Sequence, residues 1–230
     1  EKPWDAGEVL MYLIDHICPS TFRLTIKSQL CCLECSSHVD HLPELEYLTL
    51  QFPPLQGQRR AATLEDGLNM YLAKEEFLPS ERWSCFNCKK QTRSQKQLFL
   101  CNLPNYFFIL LKRFSCKRTE SGIFENRRID RIFEVPFEHN FGQSGVYRLY
   151  AAICHYAGKI GHFVAYCRPN SMQPWFRCDD LTCEEASDDY VFDDIRRNGY
   201  IFFFERKAAM SPTASLDAIT QHISRCKTLQ

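Results

Sequence analysis

The sequence predicts an α+β fold built on an antiparallel sheet, and three patterns lead to this prediction. Residues 5–17 place apolar side chains at the spacing of an amphipathic helix. Residues 106–114 begin with an almost wholly apolar run, which is typical of a strand in the middle of a sheet. Between residues 132 and 206, short apolar stretches alternate with turn residues, as in strands that are joined by hairpins.

Local patterns place the other elements. Residues 22–30 alternate between apolar and polar side chains, as a half-buried strand does. Thr63 followed by Asp66 resembles the start of a helix whose leucines share one face. Residues 115–131 form a polar stretch without a predicted element. The remaining predictions are a short helix at 215–223 and strands at 46–52, 96–102, 132–135, 147–155, 161–168, 175–179 and 199–206.

The composition limits the classes of partner. Of the 230 residues, 45% are hydrophobic, which is enough for a substantial buried core. Lysine plus arginine and aspartate plus glutamate number 28 each, so no net charge attracts nucleic acid or a membrane surface. The chain contains no run of about 18 apolar residues that could span a membrane. We therefore expect a monomer that binds neither nucleic acid nor a membrane.

The ends of the chain suggest a piece of a longer protein. The chain does not begin with methionine, and its first residues do not form a signal peptide. Residues just beyond 206 are mainly small and polar, so 207–230 is expected to be a flexible tail. The expected domain is therefore 1–206.

Thirteen cysteines at irregular spacing do not suggest a disulfide framework. A reducing compartment, the cytoplasm or the nucleus, is therefore expected. Four of the cysteines form two Cys-x-x-Cys pairs that are separated by 49 residues, and each pair follows a predicted strand. Four thiolates presented on two tight turns could bind one tetrahedral zinc ion and would leave no open coordination position. The candidate ligands are Cys32, Cys35, Cys85 and Cys88.

Two other interpretations of these pairs remain open. The four cysteines could be unrelated free thiols, since one Cys-x-x-Cys pair alone is weak evidence of a metal site. A redox role is less favoured, because neither pair opens a helix in a strand–helix–strand unit.

A histidine and an acidic pair lie close together in the predicted topology. His162 follows Gly161 in a predicted strand, and Asp179 and Asp180 end the strand that Trp175 begins. If the two strands are neighbours, Asp179 could accept a hydrogen bond from Nδ1 of His162 and leave Nε2 free as a base. A structural histidine beside an ordinary turn is the plainer alternative, and His155 has that plainer interpretation too.

Six segments together, in the same order, resemble the ubiquitin-specific proteases, which are papain-like cysteine peptidases. Residues 147–166 resemble the histidine box of that family, and residues 175–180 resemble its aspartate segment. The match extends from residue 4 to 206, and its other parts are the helix near 5–15, the two Cys-x-x-Cys pairs, residues 103–114 with their Leu-Lys-Arg-Phe ending, and the closing strand 199–206.

The resemblance implies a thumb–palm–fingers architecture with an antiparallel palm sheet and a truncated thumb. Residues 1–20 would be a remnant of the thumb helix, 21–114 the fingers with a zinc ribbon and part of the palm, and 115–206 the rest of the palm. The resemblance implies that His162 would be the general base, Asp179 its orienting partner and Asp180 an auxiliary group. The two cysteine pairs would hold one structural zinc, and Gly161, Tyr156 and Trp175 would border the channel for the tail of ubiquitin.

The resemblance also implies the function of a deubiquitinase that cleaves isopeptide bonds after the C-terminal glycine of ubiquitin. The nucleophilic cysteine of the family precedes the first helix and is not in this chain, and Cys18 lacks the surrounding motif, so the chain alone is expected to be inactive. Departures from the family pattern occur at Trp4, Val9, Phe163 and Cys178. The alternatives are a pseudoenzyme that binds ubiquitin or a ubiquitin-like modifier, and a zinc-stabilised scaffold.

Overall fold

The computed structural model describes residues 5–17, 21–54, 61–118, 122, 124–157 and 161–207. Its helices are α1 (Ala6–Ile17), α2 (Leu64–Tyr71) and α3 (Asp188–Asn198), with 3-10 turns at Pro79–Glu81 and Gly142–Ser144. Its strands are β1 (Leu24–Cys32), β2 (His38–Asp40), β3 (Glu44–Glu46), β4 (Leu48–Leu50), β5 (Ala61–Thr63), β6 (Glu75–Glu76), β7 (Trp83–Cys85), β8 (Lys90–Thr92), β9 (Ser94–Asn102), β10 (Tyr106–Leu111), β11 (Phe114–Arg118), β12 (Phe124–Arg128), β13 (Ile132–Glu134), β14 (Glu138–Asn140), β15 (Val146–Tyr156), β16 (His162–Cys167), β17 (Trp175–Asp179), β18 (Thr182–Ala186) and β19 (Gly199–Arg206).

The larger of two main sheets has eight strands. Seven follow the order β18-β17-β16-β15-β19-β10-β4, and β14 pairs with the first residues of β15. All neighbours are antiparallel except β10 and β4, which run parallel. Strand β10 lies between β19 and β4 with four of its six residues buried, which confirms the predicted central position.

The smaller sheet has five strands in the order β2-β1-β9-β6, and β3 pairs with the other end of β1. Its axis is the long antiparallel pair of β1 and β9. The hairpin of β7 and β8 lies beyond the end of this sheet. The two main sheets and the helices together confirm the predicted α+β class.

Helices cover both faces of the eight-stranded sheet. On one face, Ile14 of α1 packs with Phe108 and Ile201. Helix α1 lies close to the sheet, since a Cβ atom on Gly7 would come within 2.7 Å of Leu110. The larger core lies on the other face, where α2 and α3 contribute Leu64, Leu68, Val191 and Ile195. Among the described helices, none has the length and apolar character that a membrane crossing needs.

The structure contains elements that the sequence analysis did not predict, among them the short strands β2, β5, β6, β7, β8, β14 and β18. The polar stretch 115–131 contains the hairpin of β11 and β12, in which polar residues are paired through backbone hydrogen bonds. Helix α3 was not predicted, although Ser187 accepts a hydrogen bond from the backbone of Tyr190 as an N-cap. The expected tail, apart from Lys207, and the helix predicted at 215–223 lie outside the described residues.

Helix α2 begins as the sequence predicts. Thr63 accepts a hydrogen bond from the backbone N–H of Asp66, and the Asp66 carboxylate accepts one from the backbone of Thr63. This reciprocal pair is a capping box that satisfies two backbone donors at the start of the helix.

A half-buried acidic group, the carboxylate of Asp194, connects α3 to the strands beneath it. Both Tyr156 of β15 and Tyr166 of β16 donate their hydroxyl hydrogens to Oδ2 of Asp194, the latter at 2.5 Å. Asn198 donates to the other carboxylate oxygen at 2.7 Å. Burial, followed by the contact with Asp194, raises the pKa of both tyrosines. The carboxylate therefore connects the helix to the end of β15 and to β16, the strand that begins with His162.

The consecutive residues Asp194 and Asp193 provide a matched test of this connection. Replacing Asp194 by alanine should lower the free energy of unfolding by roughly 1–3 kcal/mol, because two partly buried hydroxyls lose their acceptor. Replacing the exposed Asp193, which pairs only with Arg196 and Arg197, should cost less than about 1 kcal/mol. Urea unfolding of the two variants measures the difference, and equal losses would contradict the role assigned to Asp194.

Candidate catalytic pair and metal centre

The structure brings His162 and Asp179 together. His162 begins β16 and Asp179 ends β17, so the antiparallel pairing of these strands places both residues at one end of the sheet. Nε2 of His162 lies 2.6 Å from Oδ1 of Asp179, which is a short hydrogen bond. The side chain of His162 is 46% exposed and that of Asp179 is 24% exposed. The pair is therefore accessible to a reactant from solvent.

The ring nitrogen that faces Asp179 is not the expected one. The sequence argument assigned Nδ1 to the carboxylate and Nε2 to the reacting group, and the structure reverses the two. The side-chain rotamer of His162 determines which ring nitrogen meets the carboxylate, and a linear sequence does not show this. Nδ1 is consequently the nitrogen that remains for proton transfer.

Arg177 is a partner of Asp179 that sequence reasoning missed. Its guanidinium donates to Oδ2 of Asp179 at 2.6 Å, so each carboxylate oxygen has its own donor. The hydrogen bond from His162, followed by that from Arg177, lowers the pKa of Asp179 below its usual 3.8. Stabilisation from these contacts is therefore present above that usual pKa and is lost as the pH falls through the lowered value. The two-residue spacing on one strand was a signal, since it puts Arg177 and Asp179 on one face.

Asp180 lies in the turn between β17 and β18 and is exposed. Its φ of +51° is in the left-handed region, which aspartate and asparagine tolerate better than most residues. Its carboxylate lies within 4.8 Å of the side-chain ligand atoms of both His162 and Asp179. The structure thus shows Asp180 as a turn residue whose charge is close to the pair.

Gly161 has a structural reason to be glycine. Its φ is +77°, and a Cβ atom at this position would lie 2.7 Å from Nε2 of His155. His155 itself is buried, with its ring edge-on to those of Phe114 and Phe163. Burial lowers the pKa of His155. His155 therefore supports the turn before His162 from inside the fold, as the plainer interpretation of this residue expected.

The side chains of the two aromatic residues expected at the substrate channel, Trp175 and Tyr156, pack within the fold. The structure corrects the expectation that Trp175 borders the channel, because its side chain is 0% exposed and packs against Phe192 in the core. A substrate cannot reach that side chain. Tyr156 is half-buried, and its hydroxyl is taken up by Asp194. The phenol of Tyr156 therefore anchors the strand end that precedes the turn at Gly161.

The four predicted metal-ligating cysteines converge. Sγ of Cys32 lies 4.0 Å from Sγ of Cys88, and Sγ of Cys35 lies 3.7 Å from Sγ of Cys85. All four sulfurs lie within 4.8 Å of one another. Tetrahedral zinc with four thiolates places its sulfurs about 3.8 Å apart. The cluster is therefore able to bind a metal ion, and unrelated free cysteines do not explain this convergence.

The two Cys-x-x-Cys turns have the same backbone geometry. The N–H of Ser36 donates to the carbonyl of Cys32 at 3.0 Å, and the N–H of Lys89 donates to that of Cys85 at 2.8 Å. Ser36 and Lys89 each follow the second cysteine of their pair and have φ values of +59° and +55°. Each turn thereby directs both of its sulfurs to the same side. Cys31, which adjoins Cys32, is not part of the cluster.

Hydrogen bonds and charge in the cluster fit a cation. Asn87, followed by Ser37, donates hydrogen bonds that lower the pKa of Cys35 to about 5. The hydrogen bond with Cys35, followed by burial, raises the pKa of Cys88 to about 12, so Cys88 keeps its proton where a second thiolate would repel the first. A divalent ion at the centre would remove this repulsion and allow all four thiols to ionise. Sequence reasoning missed Ser37 and Asn87, which lie in or beside the turns.

No described cysteine has a hydrogen bond to His162. Cys154 is buried, and Cys178 is next to Asp179 in sequence but contacts Cys183. Cys18, which the sequence argument rejected as a nucleophile, lies outside the described residues. In the described part of the chain, the pair of His162 and Asp179 thus has no cysteine hydrogen-bonded to it.

Known proteins resemble this chain in sequence. A family model described as ubiquitin carboxyl-terminal hydrolase matches residues 9–204. Ubiquitin carboxyl-terminal hydrolase 10 of Arabidopsis thaliana is 27% identical over 202 residues, which are 83% of this chain and 21% of that protein. Ubiquitin carboxyl-terminal hydrolase 19 of Homo sapiens is 32% identical over 163 residues, which are 63% of this chain and 12% of that protein.

Solved structures show the same fold. A chain of the SAGA DUB module of Ubp8, Sgf11, Sus1 and Sgf73 bound to monoubiquitin aligns with a TM-score of 0.75 at 21% identity, over 90% of this chain and 49% of that chain. The module bound to ubiquitin aldehyde aligns with a TM-score of 0.72 at 20% identity. The chain thus spans about half of the solved chain and about a fifth or less of the two curated relatives.

The family model covers most of the chain, and its match contains both cysteine pairs, His162 and Asp179. The chain therefore belongs to the ubiquitin carboxyl-terminal hydrolase family, the ubiquitin-specific proteases that its motifs resemble.

Proposed function

We propose that this chain supplies the histidine, the aspartate and the metal-binding fingers of a cysteine-type deubiquitinase. The reaction is hydrolysis of the isopeptide bond after the C-terminal glycine of ubiquitin. The observation that carries the proposal is the 2.6 Å contact between Nε2 of His162 and Oδ1 of Asp179 at an exposed end of the sheet. Family membership and two structural relatives that hold ubiquitin or ubiquitin aldehyde support it.

The geometry assigns a role to each atom of the pair. The Asp179 carboxylate accepts a hydrogen bond from the protonated Nε2 of His162. This contact holds the imidazole in one tautomer, with Nδ1 unprotonated. Nδ1 can then take the proton of a cysteine thiol, and the thiolate attacks the isopeptide carbonyl. The Asp179 carboxylate stabilises the imidazolium that forms, and the imidazolium returns the proton to the departing lysine amine. Arg177 keeps Asp179 ionised and in place throughout.

The substrate-facing elements belong to the same proposal. Gly161 and the turn around it lie directly before the base, so the tail of ubiquitin would pass this turn to bring its last carbonyl to Nδ1. The phenol of Tyr156 is held by Asp194, so this residue would shape the channel through its position rather than by a new hydrogen bond. Asp180 would contribute a negative charge at the mouth of the site.

We further propose that the metal is one structural zinc, bound by Cys32, Cys35, Cys85 and Cys88. The ion would hold the two turns together and, with four thiolates, would present no open position to substrate. Reduced thiols at these positions suit a reducing compartment such as the cytoplasm or the nucleus. Residues 1–206 would be the catalytic part, and the chain would act as a monomer.

A second candidate function is ubiquitin or ubiquitin-like-modifier binding without cleavage. The observation in its favour is that no described cysteine lies beside Nδ1 of His162. A zinc-stabilised scaffold that does not contact ubiquitin is the third reading.

Ubiquitin binding and turnover separate the three candidates. Titration of isotope-labelled ubiquitin with residues 1–230 should give saturable NMR shift changes, because the fingers and the palm would contact it. The same chain should release no fluorophore from a ubiquitin C-terminal fluorogenic substrate, since none of its described cysteines is hydrogen-bonded to His162. A form of the protein that carries a cysteine motif should release it, and failure of that form would leave the binding function. No shift change in ubiquitin would leave only the scaffold.

Asp179 and Asp180 provide a matched pair for the catalytic assignment. In a form of the protein that turns over, D179N should lower kcat/KM by roughly 10²- to 10⁴-fold, because the amide removes the negative charge that stabilises the imidazolium and can present a donor that favours the wrong tautomer. D180N should lower it less than about ten-fold, since asparagine also tolerates the left-handed turn. Steady-state kinetics with circular dichroism as a check of folding measures both. An equal loss in the two variants would count against Asp179 as the orienting group.

Cys32 and Cys31 provide a matched pair for the metal. The purified protein should contain one zinc per chain by elemental mass spectrometry. C32S should lose it, because three thiolates bind more weakly than four, and C31S should keep it. C88S, at the less buried end of the cluster, should behave like C32S. Retention of zinc in C32S and C88S would overturn the assigned ligand set.

A further inference from the structure

A second group of cysteines lies beside the catalytic pair and far along the chain from the metal cluster. Cys178 of β17 and Cys183 of β18 are directly opposite each other in an antiparallel ladder. Their Sγ atoms are 2.7 Å apart, and both cysteines are free thiols. We propose that Cys178 and Cys183 are a redox modification site that forms a reversible disulfide by exchange with a low-molecular-weight disulfide of the glutathione type.

The backbone already has the geometry that such a bond needs. Directly opposed residues in an antiparallel pair have Cα atoms about 4.5–5.5 Å apart. A disulfide is formed when its Cα atoms are about 4.4–6.8 Å apart, so the strands need not move. Only a small adjustment of the two side chains brings the sulfurs from contact to bonding distance.

A metal site does not account for this pair. Among the described residues, no third ligand atom joins both sulfurs to form a cluster of the kind seen at Cys32 and its partners. Cys167 on the neighbouring strand β16 influences the pKa of Cys178. In the strand register, however, it stands opposite Phe176 rather than Cys178. Two thiols in contact without a third ligand are suited to oxidation rather than to tetrahedral coordination.

Exposure and acidity set the order of the reaction. Cys183 is exposed and Cys178 is half-buried. Burial, followed by the contact with Cys183, raises the pKa of Cys178 to about 12. The thiolate is the attacking species in exchange, so the accessible Cys183 reacts first.

The exchange balances in two steps. The Cys183 thiolate attacks one sulfur of glutathione disulfide, and one glutathione thiolate leaves. The Cys178 thiol then loses its proton and attacks the Cys183 sulfur, which forms the S–S bond and releases the second glutathione thiolate. The protein loses two protons and two electrons, and one glutathione disulfide takes them up to become two glutathione thiols.

The bond would act on the hairpin that carries the catalytic aspartate. It would close a small ring around the four residues from Asp179 to Thr182, which include the left-handed Asp180. Cys178 is the direct neighbour of Asp179 but points to the opposite face of the strand. Oxidation would therefore restrain the turn without covering His162.

Peptide mapping tests the proposal on residues 1–230 in the presence of zinc. Trypsin cleaves after Arg177 and Arg196, so both cysteines lie in one peptide, 178–196. After incubation with glutathione disulfide and alkylation, this peptide should be lighter by two hydrogens and carry no alkyl group. A reductant should restore two alkylatable thiols. Amide hydrogen exchange in this peptide should be slower in the oxidised form.

Two variants control the experiment. C183S should abolish the loss of two hydrogens, whereas C101S, which removes an exposed cysteine without a cysteine partner, should leave it unchanged. The proposal is overturned if Cys178 and Cys183 stay alkylatable while Cys101 is modified, or if Cys183 stops at a mixed disulfide with glutathione. A bond from Cys178 to Cys167 would also overturn it, and it is recognisable because it joins two tryptic peptides. None of these outcomes depends on deubiquitinase activity.

Discussion

The antiparallel pairing of β15, β16 and β17 is the constraint on which the candidate site depends. Tyr166 stands opposite Arg177, and this register brings the first residue of β16 to the same end as the last residue of β17. Because side chains alternate along a strand, His162 and Asp179 share the face that Tyr166 and Arg177 occupy. A slip of one residue in either strand would put one member of the pair on the opposite face. The sheet register is thus as important for the chemistry as the identity of the two residues.

The register is itself protected from inside the fold. Trp175 begins β17 as a fully buried side chain, so β17 cannot shift by one residue without exposing it. Asp194 connects α3 to the tyrosines of β15 and β16, and His155 fills the space beneath the turn at Gly161. The sequence analysis placed Trp175 and Tyr156 at the substrate channel, gave His155 a structural interpretation and assigned no role to Asp194. In the structure they share one purpose, which is to hold two strand ends in a fixed relation.

The sequence allowed the prediction of features that depend on local pattern or on a shared motif. The long strands, α1 and α2 have clear periodicity or caps, and the cysteine spacing identified the cluster before any sulfur position was known. Features set by tertiary contact were not predictable in the same way. The imidazole edge that meets Asp179 depends on the side-chain rotamer of His162, and the burial of Trp175 depends on α3, an amphipathic helix whose mainly polar composition hid it from the sequence analysis. The parallel pair of β4 and β10 depends on a long connection that no local pattern reveals.

The chain segment between the two cysteine pairs has a consequence for the stability of both main sheets. The chain between Cys35 and Cys85 contains β2, β3, β4, β5, α2 and β6, so it leaves the small sheet, adds the edge strand β4 to the large one and returns. An ion that joined the two cysteine turns would close this stretch into a loop and reduce the conformational freedom of the unfolded chain. Helix α2 and β4, which contact no sulfur, would share that entropic benefit. A metal ion in the cysteine cluster would therefore stabilise the large sheet as well as the small one through chain connectivity alone.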